Sequence, residues 1–212
     1  MKLLTTFFEI DLAPRLDEFR FCIETLCALN FIEEYHIFFE GDVNKILIQD
    51  AYTFLKNPKV RLIQVNERPT YKVLIDYANI TMLNEICGIV NADIYFDDSV
   101  RQITEAPMDK RFYAITRINA DGAYQNPGSQ DLWVFKAPLF VSPDIYIGVN
   151  GCDSFFAQQV HDAGYIVSNP CLTIHIYHKH TLAYTHKPFN LTSGDYWAAP
   201  GYRAVEVPYS KL

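Results

Sequence analysis

The chain has 212 residues, half of them hydrophobic and a fifth charged, with 15 Phe, 14 Tyr and a formal net charge of −7. That is enough for one large domain with ample core material. An acidic balance without a basic block excludes a nucleic-acid surface, and no run approaches the roughly 18 apolar residues that a membrane span needs.

The N-terminus MKLLTTFFEIDLAPR is apolar but soon interrupted by Glu9 and Asp11. Lys2–Ile10 therefore reads as a first strand and not as a signal peptide. Arg15–Leu29 carries Leu16, Phe19, Ile23, Leu26 and Cys27 at helical spacing. Tyr35–Phe39 is a short apolar strand ending in the polar turn Glu40-Gly41-Asp42. Lys45–Phe54 predicts a helix, VRLIQV a strand, Tyr71–Asn84 a helix and Ile86–Val90 another strand. The second half is less regular. RFYAITRI and LWVFK read as strands, and Cys152–Ala163 as a helix between Gly151 and Gly164. YIVSNP and LTIHIYHKH read as extended segments. Beyond Leu182 the chain is rich in Tyr, Pro and Gly, which predicts a tail packed on the domain or a lid.

Alternating apolar strands and helices predict an α/β sandwich with a central, mainly parallel sheet. Such sheets bind ligands at the carboxyl ends of their strands. Glu9, Glu40 with Asp42, Arg68, and Asn91 with Asp93 stand at those ends. The five cysteines, Cys22, Cys27, Cys87, Cys152 and Cys171, include no CxxC pair. Buried thiols in a reducing compartment fit them better than a zinc knuckle, so the expected location is the cytoplasm. The N-x-T triplets at Asn79 and Asn190 then carry no sugar.

Five stretches carry polar groups that chemistry could use. In Asn91-Ala92-Asp93, residues two apart on a strand project to one side at roughly 6.6 Å, so an amide and a carboxylate could face one pocket. Mg²⁺ or Mn²⁺ takes only one or two such oxygens from protein and the rest from phosphate and water. The plain alternative is a strand end with its caps. Asp153, at the start of a predicted helix, is either an N-terminal cap or a base facing a cleft. On a strand, His178 and His180 share a face and could supply a metal ligand and a phosphate donor, or form a surface cluster. Ser129, Gln130 and Asp131 precede Leu132-Trp133 and could hold sugar hydroxyls, or merely lead into a strand. Arg68 could take a phosphate and Tyr71 stack on a base, or serve surface and core. No P-loop, GxGxxG, GxSxG or HExxH is present.

The order of these pieces resembles a nucleotide-sugar-dependent glycosyltransferase of the GT-A fold, over roughly residues 1–182. HIFFEGD ends a second strand and VRLIQVNERPTY leads into a helix. NADIYFD stands where the family has Asp-x-Asp, SQDLWVF follows, and GCDSFFAQQVHDAGYIVSNPCLTIHIYHKH resembles the acidic helix and terminal His. Small bacterial and viral glycosyltransferase-like domains carry similar strings, which also points to the N-terminal domain of a larger capsid-glycosylating viral protein in host cytoplasm. The resemblance implies a GT-A-like three-layer sandwich in one domain, residues 1–212. Residues 1–100 would bind nucleotide, 101–182 would hold acceptor and catalytic groups, and 183–212 would form the tail or lid.

It further implies a sugar moved from a UDP-sugar to a hydroxyl of a glycan or glycoprotein, assisted by Mn²⁺ or Mg²⁺. Thr6, Phe8, Arg68, Tyr71, Asp76, Asn91 and Asp93 would bind the nucleotide. Asp93 with His178 and His180 would bind metal, Asp153 would be the base, and Ser129, Gln130 and Asp131 would join Asp153 in holding the acceptor or sugar. Two departures stand out: Asn91 replaces the first acid of Asp-x-Asp, and Cys152 replaces the acid before Asp153. Asp97-Asp98 is a competing placement of the metal motif. A sugar nucleotidyltransferase and a non-catalytic binding module are the rival readings. TTFFEIDLAPR lacks the Gly-rich basic loop the former needs, and Asn91 keeps the latter open.

Overall fold

The computed structural model describes residues 1–149, 151–179 and 206–212. The first half alternates as expected: β1 (Lys2–Phe8), α1 (Ala13–Ala28), β2 (Glu34–Glu40), α2 (Val43–Leu47), β3 (Val60–Val65), α3 (Tyr71–Thr81) and β4 (Ile86–Val90). Then come β5 (Ile94–Phe96), α4 (Arg101–Glu105), β6 (Arg111–Ile115), β7 (Leu132–Lys136), α5 (Cys152–Asp162), β8 (Ile166–Ser168) and β9 (Ile176–His178). The helix expected over Lys45–Phe54 is instead the short α2 followed by a 3₁₀-helix at Asp50–Lys56. Asp42 caps α2 by accepting from the N–H of Asn44 and Lys45, Gln49 is extended at ψ 129° and breaks the run, and Tyr52 kinks the 3₁₀ stretch.

One seven-stranded sheet has the order β3-β2-β1-β4-β7-β6-β8. Its neighbours are parallel except where β7 meets β4 and β6. Side chains alternate across it. From β1, Leu3 and Phe7 enter one core with Leu16, Phe19, Ile23 and Leu26 of α1. Leu4 enters the other, with Leu74, Ile75 and Ala78 of α3 and Phe156 and Val160 of α5. Helices thus cover both faces, giving three layers. Each fully buried Leu, Ile or Phe contributes about 1.5–3 kcal/mol relative to exposure. All five cysteines are buried free thiols.

A second sheet pairs β5 with β9, placing Ile94 opposite His178. This short ladder brings the His-rich segment beside the residues that follow β4. Of the tail, residues 206–212 lie against the body: Val207 is buried and its N–H donates to the Pro127 carbonyl at 3.2 Å, while Ser210 N–H donates to Asn169 at 2.8 Å. The rest of the expected tail or lid, and His180, lie outside the described residues. Among the described residues no helix is long and apolar enough to cross a membrane.

Candidate active site

Asn91-Ala92-Asp93 is the turn that ends β4 and not a continuation of the strand, closed by the Ile94 N–H on the Asn91 carbonyl at 3.1 Å. The two polar side chains consequently reach different partners. Asn91 Nδ2 donates to Asp131 Oδ1 at 2.8 Å. Asp93 Oδ2 accepts from Arg15 Nη2 at 2.7 Å and lies 3.1 Å from His178 Nε2. Burial alone would raise the Asp93 carboxyl, but the His178 hydrogen bond and the charges of His178 and Arg15 outweigh it and hold Asp93 far below the usual range. The competing pair is engaged otherwise. Asp97 caps a 3₁₀ turn through Ser99 N–H at 2.9 Å and accepts from Tyr177 Oη at 3.0 Å, and Asp98 is exposed.

On the other side of the turn lies a cleft of about 300 Å³, reached by Asn91, Arg117, Ser129, Gln130, Asp131 and Asp153 among others. β7 runs against its neighbours, so its first residues, not its last, meet the carboxyl end of β4. That is why Asp131 faces Asn91. Asp131 is buried and paired with Arg117 Nη1 at 2.8 and 2.9 Å. Burial lifts its carboxyl, and the guanidinium opposes that. Gln130 N–H donates to Asp153 Oδ2 at 3.1 Å, and Gln130 Nε2 to the Pro127 carbonyl at 2.6 Å. Ser129 lines the cleft, and its carbonyl accepts from Thr116 Oγ1 at 2.9 Å.

Asp153 sits in the first turn of α5, after Gly151 at φ 79°. That left-handed dihedral suits glycine and turns the chain sharply into the helix. Burial first, then the charge of Asp131, push the Asp153 carboxyl up to about 6, although backbone N–H groups oppose the rise. A carboxylate with a pKa near neutral in a cleft is suited to taking a proton.

The expected nucleotide groups divide. Thr6 and Phe8 point from one face of β1 and are half-buried, and the Arg68 guanidinium carbon lies 5.8 Å from the Phe8 ring centroid. Arg68 Nη1 donates to the Ile147 carbonyl at 3.3 Å, and burial lowers its pKa to about 10. Tyr71 does not offer a face to a base. It is fully buried, against Trp133 and Phe156 with centroids at 5.2 and 4.6 Å, and its hydroxyl lies 3.6 Å from Cys152 Sγ. As the first residue of α3, it turns into the core that α3 shares with α5. Asp76 pairs with Lys72 one turn away on the exposed side of α3, and not with any group of the cleft.

Asp93 and His178 together fit a divalent ion. They are a hard oxygen and an imidazole nitrogen 3.1 Å apart, and such an ion completes its shell from phosphate and water. Among the described residues no third His, Cys, Asp or Glu gathers with them. The chain's own groups that sequence reasoning passed over are Arg15, Glu18 and Arg117. Arg117 stands two residues past β6, but RFYAITRI reads as one strand that runs through it, so it carried no strand-end signal like that of Arg68. Glu18 is an acid on the apolar face of α1, between Leu16 and Phe19.

No protein-family model matches the sequence, and no curated protein matches it. Solved structures do. S. aureus TarS 1-349 in complex with UDP-GlcNAc aligns with TM-score 0.61 and 13% identity, covering 92% of this chain and 63% of that one. GalNAc-T7 with UDP, GalNAc and Mn²⁺ gives 0.56 and 12%, covering 92% and 46%. The mannosyltransferase PcManGT from Pyrobaculum calidifontis, with GDP-Man and Mn²⁺, gives 0.54 and 16%, covering 80% and 54%. This chain therefore spans less than two thirds of the length of each. Identities this low carry the architecture and not the substrates: what the chain shares with these glycosyltransferases is the GT-A fold.

Proposed function

We propose that the chain is a glycosyltransferase that moves a sugar from a nucleoside-diphosphate donor, with UDP as the nucleotide, to a hydroxyl of a glycan or glycoprotein. The observation that carries this reading is the turn after β4. It places the Asp93–His178 pair on one side and the Asn91–Asp131–Asp153 cleft on the other, at the carboxyl edge of a GT-A sheet. A diphosphate end and an acceptor end then lie next to each other, as transfer between them requires.

Thr6, Phe8 and Arg68 hold the nucleotide, Arg68 against a phosphate. Asp131, kept in place by Arg117 and Asn91, accepts from hydroxyls of the bound sugar, with Ser129 and Gln130 at its side. Asp153 takes the proton of the acceptor hydroxyl. That oxygen bonds to the anomeric carbon as the bond to the phosphate oxygen breaks, and the nucleoside diphosphate leaves. Attack from the face opposite the leaving group inverts the anomeric centre. When bound at Asp93 and His178, a divalent ion supplies positive charge for the departing diphosphate.

Titrating UDP with and without Mn²⁺ tests the donor end. Asp93→Ala is expected to abolish the Mn²⁺-dependent part of nucleotide affinity. Affinity that ignores both the ion and the substitution would contradict the assignment.

A further inference from the structure

Arg15 lies in the first turn of α1, directly after β1. Its Nη2 is 2.7 Å from Asp93 Oδ2, the same oxygen that His178 Nε2 approaches to 3.1 Å. Its Nη1 is 2.6 Å from Glu18 Oε2, and its guanidinium carbon stands 4.3 Å from the Phe19 ring centroid. The Glu18 side chain is only 3% exposed, whereas those of Arg15 and Asp93 are 22% and 14% exposed. The guanidinium is thus anchored at one nitrogen by a buried acid and extended to Asp93 by the other.

A guanidinium keeps its charge at any ordinary pH. An ion arriving alone at Asp93 would share the carboxylate with that fixed charge, in a half-buried place where repulsion is poorly screened. A diphosphate changes the balance, because its oxygens give the guanidinium another partner. Arginine suits this exchange, since its planar fork matches phosphate as well as carboxylate. The anchor on Glu18 keeps the group near the edge of the sheet while its outer nitrogen changes partner.

We propose, building on the metal and donor reading above, that Arg15 is a positioning residue that neutralises Asp93 in the empty site and passes to the donor's diphosphate when ion and donor bind together. The pair is then taken up cooperatively: the ion binds weakly alone and tightly with its nucleotide. Asn91 strengthens the dependence. Where the family has a second acid, this chain has an amide already committed to Asp131, so Asp93 is the single carboxylate of that turn and Arg15 holds it.

The test is calorimetric titration of the full chain with MnCl₂ alone, then with MnCl₂ in the presence of UDP or of GDP. Arg15→Met removes the charge and keeps the length. Arg15→Met/Glu18→Gln also removes the buried acid that Arg15 would leave behind, so that a folded variant is available, with melting curves checking both. Mn²⁺ alone is expected to bind both variants about tenfold more tightly than the wild type, and the tightening of Mn²⁺ by nucleotide is expected to shrink by a similar factor. Unchanged Mn²⁺ affinity in the variants, with a wild type that binds Mn²⁺ and nucleotide together, overturns the role of Arg15 and leaves the metal reading standing. If none of the three proteins binds Mn²⁺ with either nucleotide, both fail.

Discussion

Asp153 is held in a conflict that its function would use. Its pKa near 6 lies above the ordinary aspartate value of 3.8 because burial and Asp131 oppose its charge. A raised folded-state pKa means that the protein is most stable with the acid protonated and loses that stability as pH rises through about 6. At pH 8 the charged, half-buried carboxylate costs about 1–3 kcal/mol. Asp153→Asn keeps an acceptor for the Gln130 N–H and is expected to raise the melting temperature at pH 8 but not at pH 4. A base at this position also predicts a rate that climbs as pH rises through about 6 and then levels, measurable as donor hydrolysis. The neighbouring Asp131 is also raised by burial, but there Arg117 opposes the rise. Arg117→Met leaves Asp131 buried opposite a missing charge, which is expected to cost about 3 kcal/mol in denaturant titration.

At the scale of elements, the site depends on where β4 ends and which way β7 runs. β4 is central, between β1 and β7, and Gly88 is its tightest point: an added Cβ would lie 2.9 Å from Leu3 Cδ2 and 3.3 Å from Leu132 Cδ1. Gly88→Ala is expected to destabilise by about 1–3 kcal/mol through overpacking, seen as a lower urea midpoint. These elements were unequally legible in the sequence. VRLIQV, Ile86–Val90 and LWVFK stand as strands at the bounds their apolar runs predict. The direction of β7 carries no local signal, because the same alternation serves a strand running either way. The turn at Asn91–Asp93 was legible as the plain alternative of a strand end with its caps; the separate partners of its two polar side chains, Asp131 for Asn91 and Arg15 with His178 for Asp93, were not. Arg15 and Glu18 lie within a helix whose apolar spacing dominates, so the meeting of Arg15 with Asp93 appears only when α1 packs beside β5.

At the scale of the whole molecule, in the proposed reading, β1 and the segment after β3 carry the nucleotide side with Thr6, Phe8 and Arg68, while the ends of β6, β7 and α5 carry Arg117, Asp131 and Asp153. The three-layer architecture was foreseeable from alternating strands and helices, since each apolar face must be covered. Tyr71 shows the limit of that foresight. An aromatic just after an Arg at a strand end reads like a base platform, but the first turn of α3 packs on Trp133 and Phe156, and the ring goes inward.

The central claim is transfer from a nucleotide sugar, and the measurement closest to it is turnover across a panel of UDP- and GDP-sugars with Mn²⁺, comparing the wild type with Asp153→Asn. At least one donor is expected to be slowly hydrolysed by the wild type. Asp153→Asn is expected to slow this by about a hundredfold or more while binding the nucleoside diphosphate as before. A folded wild type that turns over no donor, or an Asp153→Asn variant as fast as the wild type, would contradict the claim.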